Sequence, residues 1–288
     1  MTRAARTRPD PVPGIYRVDT GEAHLLRDPT LPARWTLWLN GVPSSPVRTD
    51  RPDVLEFEYL AWMAAVLEQH AEAAGPPRDL LHLGGGACAL PWALEARWPD
   101  RRQVVVELDG ELARLVREWF DLPRSPRLRV QVGDARAALA RRRDASADVV
   151  VRDVFAGALT PRDLTTERFV TDVSRVLRPG GLYLANVADR PPLDGLRSEV
   201  ATTAAVFPHV ALVAETSMLR GRRYANAVLV ASTAPVEVTA VARRVGLSGL
   251  AVRVVHGSAL ADLVRDAPVR RDGDGEAAGA GPSLDDRR

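Results

Sequence analysis

Residues 79 to 86 read Asp-Leu-Leu-His-Leu-Gly-Gly-Gly, an apolar run of strand length that stops at three glycines. With a helix-prone segment behind it, such a run opens a nucleotide-binding βαβ unit. Glycine is needed there because the chain turns sharply and its backbone must come close to a ligand, which a Cβ would prevent. The next apolar run, Gln103-Val104-Val105-Val106, ends in Glu107-Leu108-Asp109. Glu107 lies 21 positions after Gly86, near the spacing of about 20 at which a carboxylate takes ribose hydroxyls. Gly84, Gly85, Gly86 and Glu107 are therefore expected to hold a nucleoside. Either acid of the pair could instead cap a helix, and the two together favour the sugar for Glu107.

Behind this unit the pattern repeats. Strand 103–107 leads to a helix over 111–120, and strand 128–132 ends in Gly133-Asp134-Ala135 before a helix to about 141. Strand 148–151 ends in Arg152-Asp153, helix 166–177 is stopped by Pro179-Gly180-Gly181, and strand 182–186 follows. Helix 196–207 and strands 210–215 and 225–231 complete the series. Strands alternating with helices imply a doubly wound α/β sheet, seven strands in all. The last two, with no helix between them, are expected to pair antiparallel. A further strand and helix are offered at 251–255 and 258–264.

Upstream, Asn40-Gly41 after Trp35-Thr36-Leu37-Trp38-Leu39 is a hairpin turn signal, because both residues tolerate φ > 0. With a second extended stretch at 14–18, residues 14–54 read as a small β subdomain. Helical spacing at Leu60, Met63, Ala64 and Leu67 marks a leading helix over 55–69, and Gly75-Pro76-Pro77 ends it. Residues 1–13 are expected to be a loose arm, 55–264 the catalytic domain, and 265–288 a disordered tail lacking apolar periodicity.

Composition excludes more than it identifies. The net charge of the 288 residues is only +2, so no strong field toward nucleic acid follows. All 39 basic residues are arginine, a genome-wide bias in a chain rich in Ala, Pro, Asp and Gly. The clusters Arg141-Arg142-Arg143 and Arg220-Gly221-Arg222-Arg223 read as solvated faces, with phosphate or nucleic-acid contact the minority alternative. Cys88 is the single cysteine, which rules out an intrachain disulfide and suits a reducing, cytoplasmic setting. No membrane span or signal peptide is expected, and no His, Cys and acid grouping has metal-ligand spacing.

The run from Leu81 through Asn186 resembles the spermidine synthases, aminopropyltransferases on the class I S-adenosylmethionine-dependent methyltransferase fold, which is Rossmann-like. Leu83-Gly84-Gly85-Gly86 resembles that family's glycine loop and Val106-Glu107-Leu108-Asp109 its ribose-binding strand end. Gly133-Asp134-Ala135 is similar to the segment whose acid contacts the adenine amino group. Asp148-Val149-Val150-Val151-Arg152-Asp153 resembles the strand that delivers the catalytic aspartate. Segments 164–169 and 177–181 resemble the helix and turn that follow. Leu39-Asn40-Gly41 and Glu56-Phe57-Glu58-Tyr59 echo the family's N-terminal hairpin and helix start. The resemblance spans roughly residues 35 to 232.

It implies Gly84, Gly85, Gly86, Glu107, Leu108, Asp134 and Ala135 at an adenosyl sulfonium cofactor, either S-adenosylmethionine or its decarboxylated form, with no metal. It implies Asp153 as catalyst, Tyr59 in the substrate pocket, a small-molecule amine as acceptor, and a homodimer as the partner to test. Four positions depart from the family. Ala87 and Ala156 stand where it carries Asp, and Leu60 and Ala61 where it carries a polar residue and Glu. Each lost charge-assisted contact is worth about 1.5–3 kcal/mol of polyamine or cofactor binding. A neutral Ala87 also removes repulsion against a cofactor that keeps its carboxylate. A methyltransferase on the same scaffold, and a catalytically silent nucleotide-binding homologue, therefore stand beside the aminopropyl reading. Gly84-Gly85-Gly86-Ala87-Cys88-Ala89 also fits the dinucleotide pattern G-x-G-x-x-A, against which the antiparallel last pair argues. Inside its apolar strand His82 reads as a satisfied interior residue. The long connection 154–165 reads as a lid over the site.

Overall fold

Two sheets organise the chain in the computed structural model, which describes residues 10–273 apart from Ala158, Leu247 and Ser248. Strands β1 (Gly14–Val18), β2 (Gly21–Arg27), β3 (Arg34–Leu39) and β4 (Val42–Arg48) form an antiparallel sheet in that order. The Asn40-Gly41 turn joins β3 to β4 with φ of 50° and 77°, the left-handed geometry a tight hairpin demands. Sequence reading found β1 and β3 but not their partners. β4 contains Pro43 and Pro46, which normally argue against a strand. It lies at the sheet edge, where a missing N–H costs the ladder little.

Helix α1 (Glu58–Ala74) starts three residues later than expected and buries Tyr59, Leu60, Met63 and Leu67. It ends at Gly75, whose φ of 84° suits glycine. The alternating part follows: β5 (Asp79–Leu83), α2 (Ala89–Arg97), β6 (Arg102–Glu107), α3 (Gly110–Trp119), β7 (Leu128–Val132), α4 (Ala135–Ala140) and β8 (Ala147–Arg152). After a 3₁₀ turn at Arg162–Leu164 come α5 (Glu167–Val176), β9 (Leu177–Asp189), α6 (Asp194–Ala204) and β10 (His209–Glu215). Then α7 (Thr216–Leu219), β11 (Ala225–Ser232), α8 (Val238–Gly246), β12 (Val252–His256) and α9 (Gly257–Val264) complete the described elements.

The large sheet has the order β12-β10-β11-β9-β8-β5-β6-β7. Strands β5 to β9 pair in parallel, and β11 runs antiparallel to both β9 and β10. Only the single-turn α7 separates β10 from β11, as an antiparallel pair allows. To the expected seven strands β12 adds an eighth, antiparallel to β10. Helix α8 was not foreseen: its valines have weak helix propensity, but Val241 and Val245 are buried in the core that α1 also lines.

Side-chain alternation sends Val149 and Val151 of β8 into a core shared with α1, α2, α3 and the small sheet, and Val150 into a second core under α5, α6 and α9. Residues 265–273, counted with the disordered tail in the sequence reading, are docked on the second face. Arg270 N donates to Thr202 Oγ1 at 2.9 Å, and Ser198 Oγ donates to Pro268 O at 2.6 Å. The expectations for 1–9 and 274–288 fall outside the described residues.

Candidate active site

Strands β5 and β8 are neighbours whose connections leave in opposite directions, so their carboxyl ends open the crevice where such sheets take ligands. Backbone contact there is tight. Asp153 N donates to Leu83 O at 2.8 Å, and a Cβ on Gly84 (φ 91°) would stand 2.1 Å from Asp153 O. Only glycine lets β8 end against this elbow. A Cβ on Gly85 would come within 3.0 Å of Glu107 Oε2.

The acid-tipped strand reaches the elbow directly. Glu107 Oε2 accepts from Gly85 N at 2.9 Å and Gly86 N at 3.1 Å, and Oε1 accepts from Asp109 N at 3.1 Å. Of about four lone-pair directions on a carboxylate, three are thereby used and one on Oε1 remains for a hydroxyl. Leu108 and Val132, at the tips of β6 and β7, are 61% and 57% exposed. They offer apolar surface on the same side as the elbow. Asp134 caps α4 through Oδ1, which accepts from Ala137 N at 2.7 Å, and Ala135 is buried in the first turn. Asp134 Oδ2 makes no hydrogen bond among the described residues.

Asp109 belongs to the scaffold. It caps α3 through Leu112 N at 2.7 Å and also accepts from Thr20 N at 2.7 Å. Asp19 answers by accepting from Gly110 N at 2.8 Å. This reciprocal clamp pins the β1–β2 turn to the start of α3. On the other side Ser45 of β4 accepts from Ala87 N at 3.3 Å. The small sheet therefore grips the elbow through Ser45 and the start of α3 through Asp19 and Thr20, which no local sequence signal revealed. Cys88 (φ 58°) is buried, and burial followed by the charge of Glu107 pushes its thiol up to about 12, so it is no nucleophile.

Asp153 sits at the tip of β8 with both oxygens engaged. Tyr59 OH donates to Oδ2 at 3.1 Å and Asn186 Nδ2 to Oδ1 at 2.9 Å. Burial raises its carboxyl above the ordinary value, and those two donors partly offset the rise. Tyr59, held by α1, is itself buried, and burial followed by the charge of Asp153 lifts its phenol well above 10.0, so it stays a donor. Asn186 was not singled out in the sequence; the signal was a polar residue inside the otherwise apolar run of β9.

Behind the site lies a second unforeseen group. Arg152 follows the Val150 face into the core, where it is fully buried. It donates through Nη2 to Glu199 Oε1 at 2.5 Å and to Asn186 O at 2.8 Å. Its Nε and Nη1 have no partner among the described residues. His82 behaves as expected of an interior residue, with Nε2 3.0 Å from Gln103 Oε1. Burial pulls its imidazole down to about 4. In the 154–165 connection Ala156 N donates to Leu159 O at 2.8 Å across a tight turn, and Leu159 is 70% exposed.

Among the described residues no group of three or more His, Cys, Asp or Glu side chains could hold a metal, and no helix is long and apolar enough to cross a membrane. The residues present do suit an adenosine moiety. The glycines let the elbow close against Asp153, Glu107 and Ser45, Glu107 keeps a lone pair for a sugar hydroxyl, and two exposed apolar strand tips stand beside it.

No family model matches the chain. A probable spermidine synthase from Corynebacterium glutamicum of known structure is 39% identical, with a TM-score of 0.87 over 94% of this chain and 100% of the other. An N-terminal histidine N-methyltransferase from Emericella nidulans is 30% identical over 152 residues, 50% of this chain and 26% of that protein. A polyamine aminopropyltransferase from Aeropyrum pernix is 30% identical over 149 residues, 47% of this chain and 46% of that protein. The chain thus spans less than half the length of these two curated relatives, but the whole of the corynebacterial protein. On this match the chain belongs to the spermidine synthase-like family.

Proposed function

We propose that the protein is a spermidine synthase-like transferase that moves an alkyl group, aminopropyl by first assignment, from an adenosyl sulfonium compound to an amine. The observation that carries this reading is Asp153. It is a carboxylate at the sheet's switch point, one hydrogen bond from the glycine elbow and oriented by Tyr59 and Asn186. Glu107 holds the sugar through its free lone pair, Leu108 and Val132 cover the base, and Asp134 with the Ala135 backbone reads its edge. The sulfonium compound supplies an electron-poor carbon beside a positively charged sulfur.

An amine is protonated at neutral pH and must lose that proton to attack. Asp153 accepts it as the nitrogen lone pair forms the new N–C bond and the C–S electron pair returns to sulfur. Tyr59 and Asn186 keep the carboxylate's orientation during the transfer. Leu60, Ala61, Ala87 and Ala156 supply no second carboxylate beside Asp153. This supports an acceptor recognised through one ammonium group, as in a monoamine.

Methyl transfer is the second reading, and Ala87 favours it. Nothing negative follows the elbow to repel an amino-acid carboxylate, and Ala87 N–H is already given to Ser45. Calorimetric titration with S-adenosylmethionine, its decarboxylated form and methylthioadenosine separates the two. Tighter binding of the decarboxylated form supports aminopropyl transfer, tighter binding of the carboxylated form supports methyl transfer, and binding of none refutes both. Light scattering of the same sample tests the proposed homodimer.

A further inference from the structure

At the opposite end of the large sheet, under the amino ends of β5 to β9, the structure holds a cavity of about 690 Å³. Six arginines line it: Arg102, Arg129, Arg141, Arg142, Arg143 and Arg178. Two of them are neutralised locally. Arg102 pairs with Asp79 at 2.7 Å, and Arg178 pairs with Asp79 at 2.9 Å and Asp148 at 2.7 Å. Asp144, also in the wall, is taken by Arg175 at 2.7 Å. Arg129, Arg141, Arg142 and Arg143 make no ion pair among the described residues.

These four charges come from two places that the fold brings together, strand β7 and the loop after α4. Isolated arginines on a convex face are hydrated and need no partner. Four lining one recess add positive charge to it, and Arg142 and Arg129 lie close enough to feel each other. Arg142 is half-buried, and burial followed by the charge of Arg129 lowers its guanidinium. The recess is also preorganised. Arg175 Nη1 donates to Arg142 O at 2.7 Å, Ala145 N to Arg175 O at 3.0 Å, and Ser146 N to Val176 O at 2.8 Å. The loop backbone is thus fixed before any ligand arrives. Guanidinium forks match phosphate oxygens geometrically, and the volume lies within the range of small-molecule sites.

We propose that this cavity binds a small polyphosphate anion, at a site separate from the transferase crevice. Its sources are a nucleoside polyphosphate or an inorganic polyphosphate chain, and the phosphate chain is the part recognised.

The test titrates the full chain calorimetrically with tripolyphosphate, ATP and adenosine at low and moderate salt, with and without saturating S-adenosylmethionine. Tripolyphosphate and ATP are expected to bind, more weakly as salt rises, whether or not S-adenosylmethionine is present. The double variant Arg129→Gln/Arg142→Gln is expected to lose at least tenfold in affinity for both, while S-adenosylmethionine binding stays unchanged. ATP tighter than tripolyphosphate points to a nucleotide as the source, and equal affinities to the inorganic chain. Failure of both to bind, equal binding by the double variant, or displacement of tripolyphosphate by adenosine or S-adenosylmethionine would each overturn the proposal.

Discussion

Glu199→Gln is the substitution whose cost follows most directly from the packing. Arg152 is fully buried, and among the described residues its one carboxylate within hydrogen-bond reach is Glu199, whose side chain is 4% exposed. Arg270 approaches Glu199 only to 3.8 Å. Two Arg152 nitrogens, Nε and Nη1, already lack partners among the described residues, so no spare acceptor is at hand there when the carboxylate goes. Removing one member of a buried pair strands the other charge, at a cost of about 3–5 kcal/mol. That is a large share of the roughly 5–15 kcal/mol that holds a typical domain folded. The midpoint of thermal unfolding should fall by about 6–20 °C, taking ~2–4 °C per kcal/mol for a chain of this size. The double replacement Arg152→Met/Glu199→Leu removes both charges together and is expected to cost less than the single one. Urea unfolding followed by the fluorescence of the six tryptophans reads both. A Glu199→Gln cost below about 1 kcal/mol, or a double variant less stable than the single, would refute the argument.

Further expectations concern the site and its supports. Tyr59→Phe deletes a donor that favours charged Asp153, so the aspartate's already raised pKa rises further. The acid limb of kcat/KM then moves to higher pH, and a limb that stays or moves down contradicts the contact. His82 is held down to about 4 against 6.5 in the unfolded chain. The unfolded state therefore binds its proton first, and on the order of 3 kcal/mol of stability is lost as pH falls from 6.5 toward 4. His82→Gln should remove that part of the slope in urea unfolding across this window, and an unchanged slope speaks against it. Gly84→Ala places a Cβ 2.1 Å from Asp153 O at a φ of 91°. It should cost at least about 2 kcal/mol and weaken cofactor binding in calorimetry.

The parallel sheet was legible because β5, β6 and β8 are buried on both faces and read as continuous apolar runs bounded by glycine or acid. The elbow was legible because three glycines and a spaced glutamate are a local pattern. What escaped is what depends on distant contacts. Ser45 and Asp19 touch the elbow and α3 from residues 42 and 91 positions away, so nothing near them in sequence announces a role. Arg152 read as one polar residue at a strand end, and its partner Glu199 lies 47 positions on. Asn186 became meaningful only once β9 was set beside β8. Asp109 was the reverse case, an acid at a strand tip that the structure uses to clamp two sheets together.

Asp153→Asn in an assay for the alkylated amine and the released thioether tests the central claim most directly. The amide keeps the shape and still meets Tyr59 and Asn186, but it cannot accept a proton at neutral pH. Turnover should fall by about 10²-fold or more while affinity for the sulfonium compound is retained. Turnover within a few-fold of the parent chain would show that the proton goes elsewhere, and Asp153 would lose its assigned role.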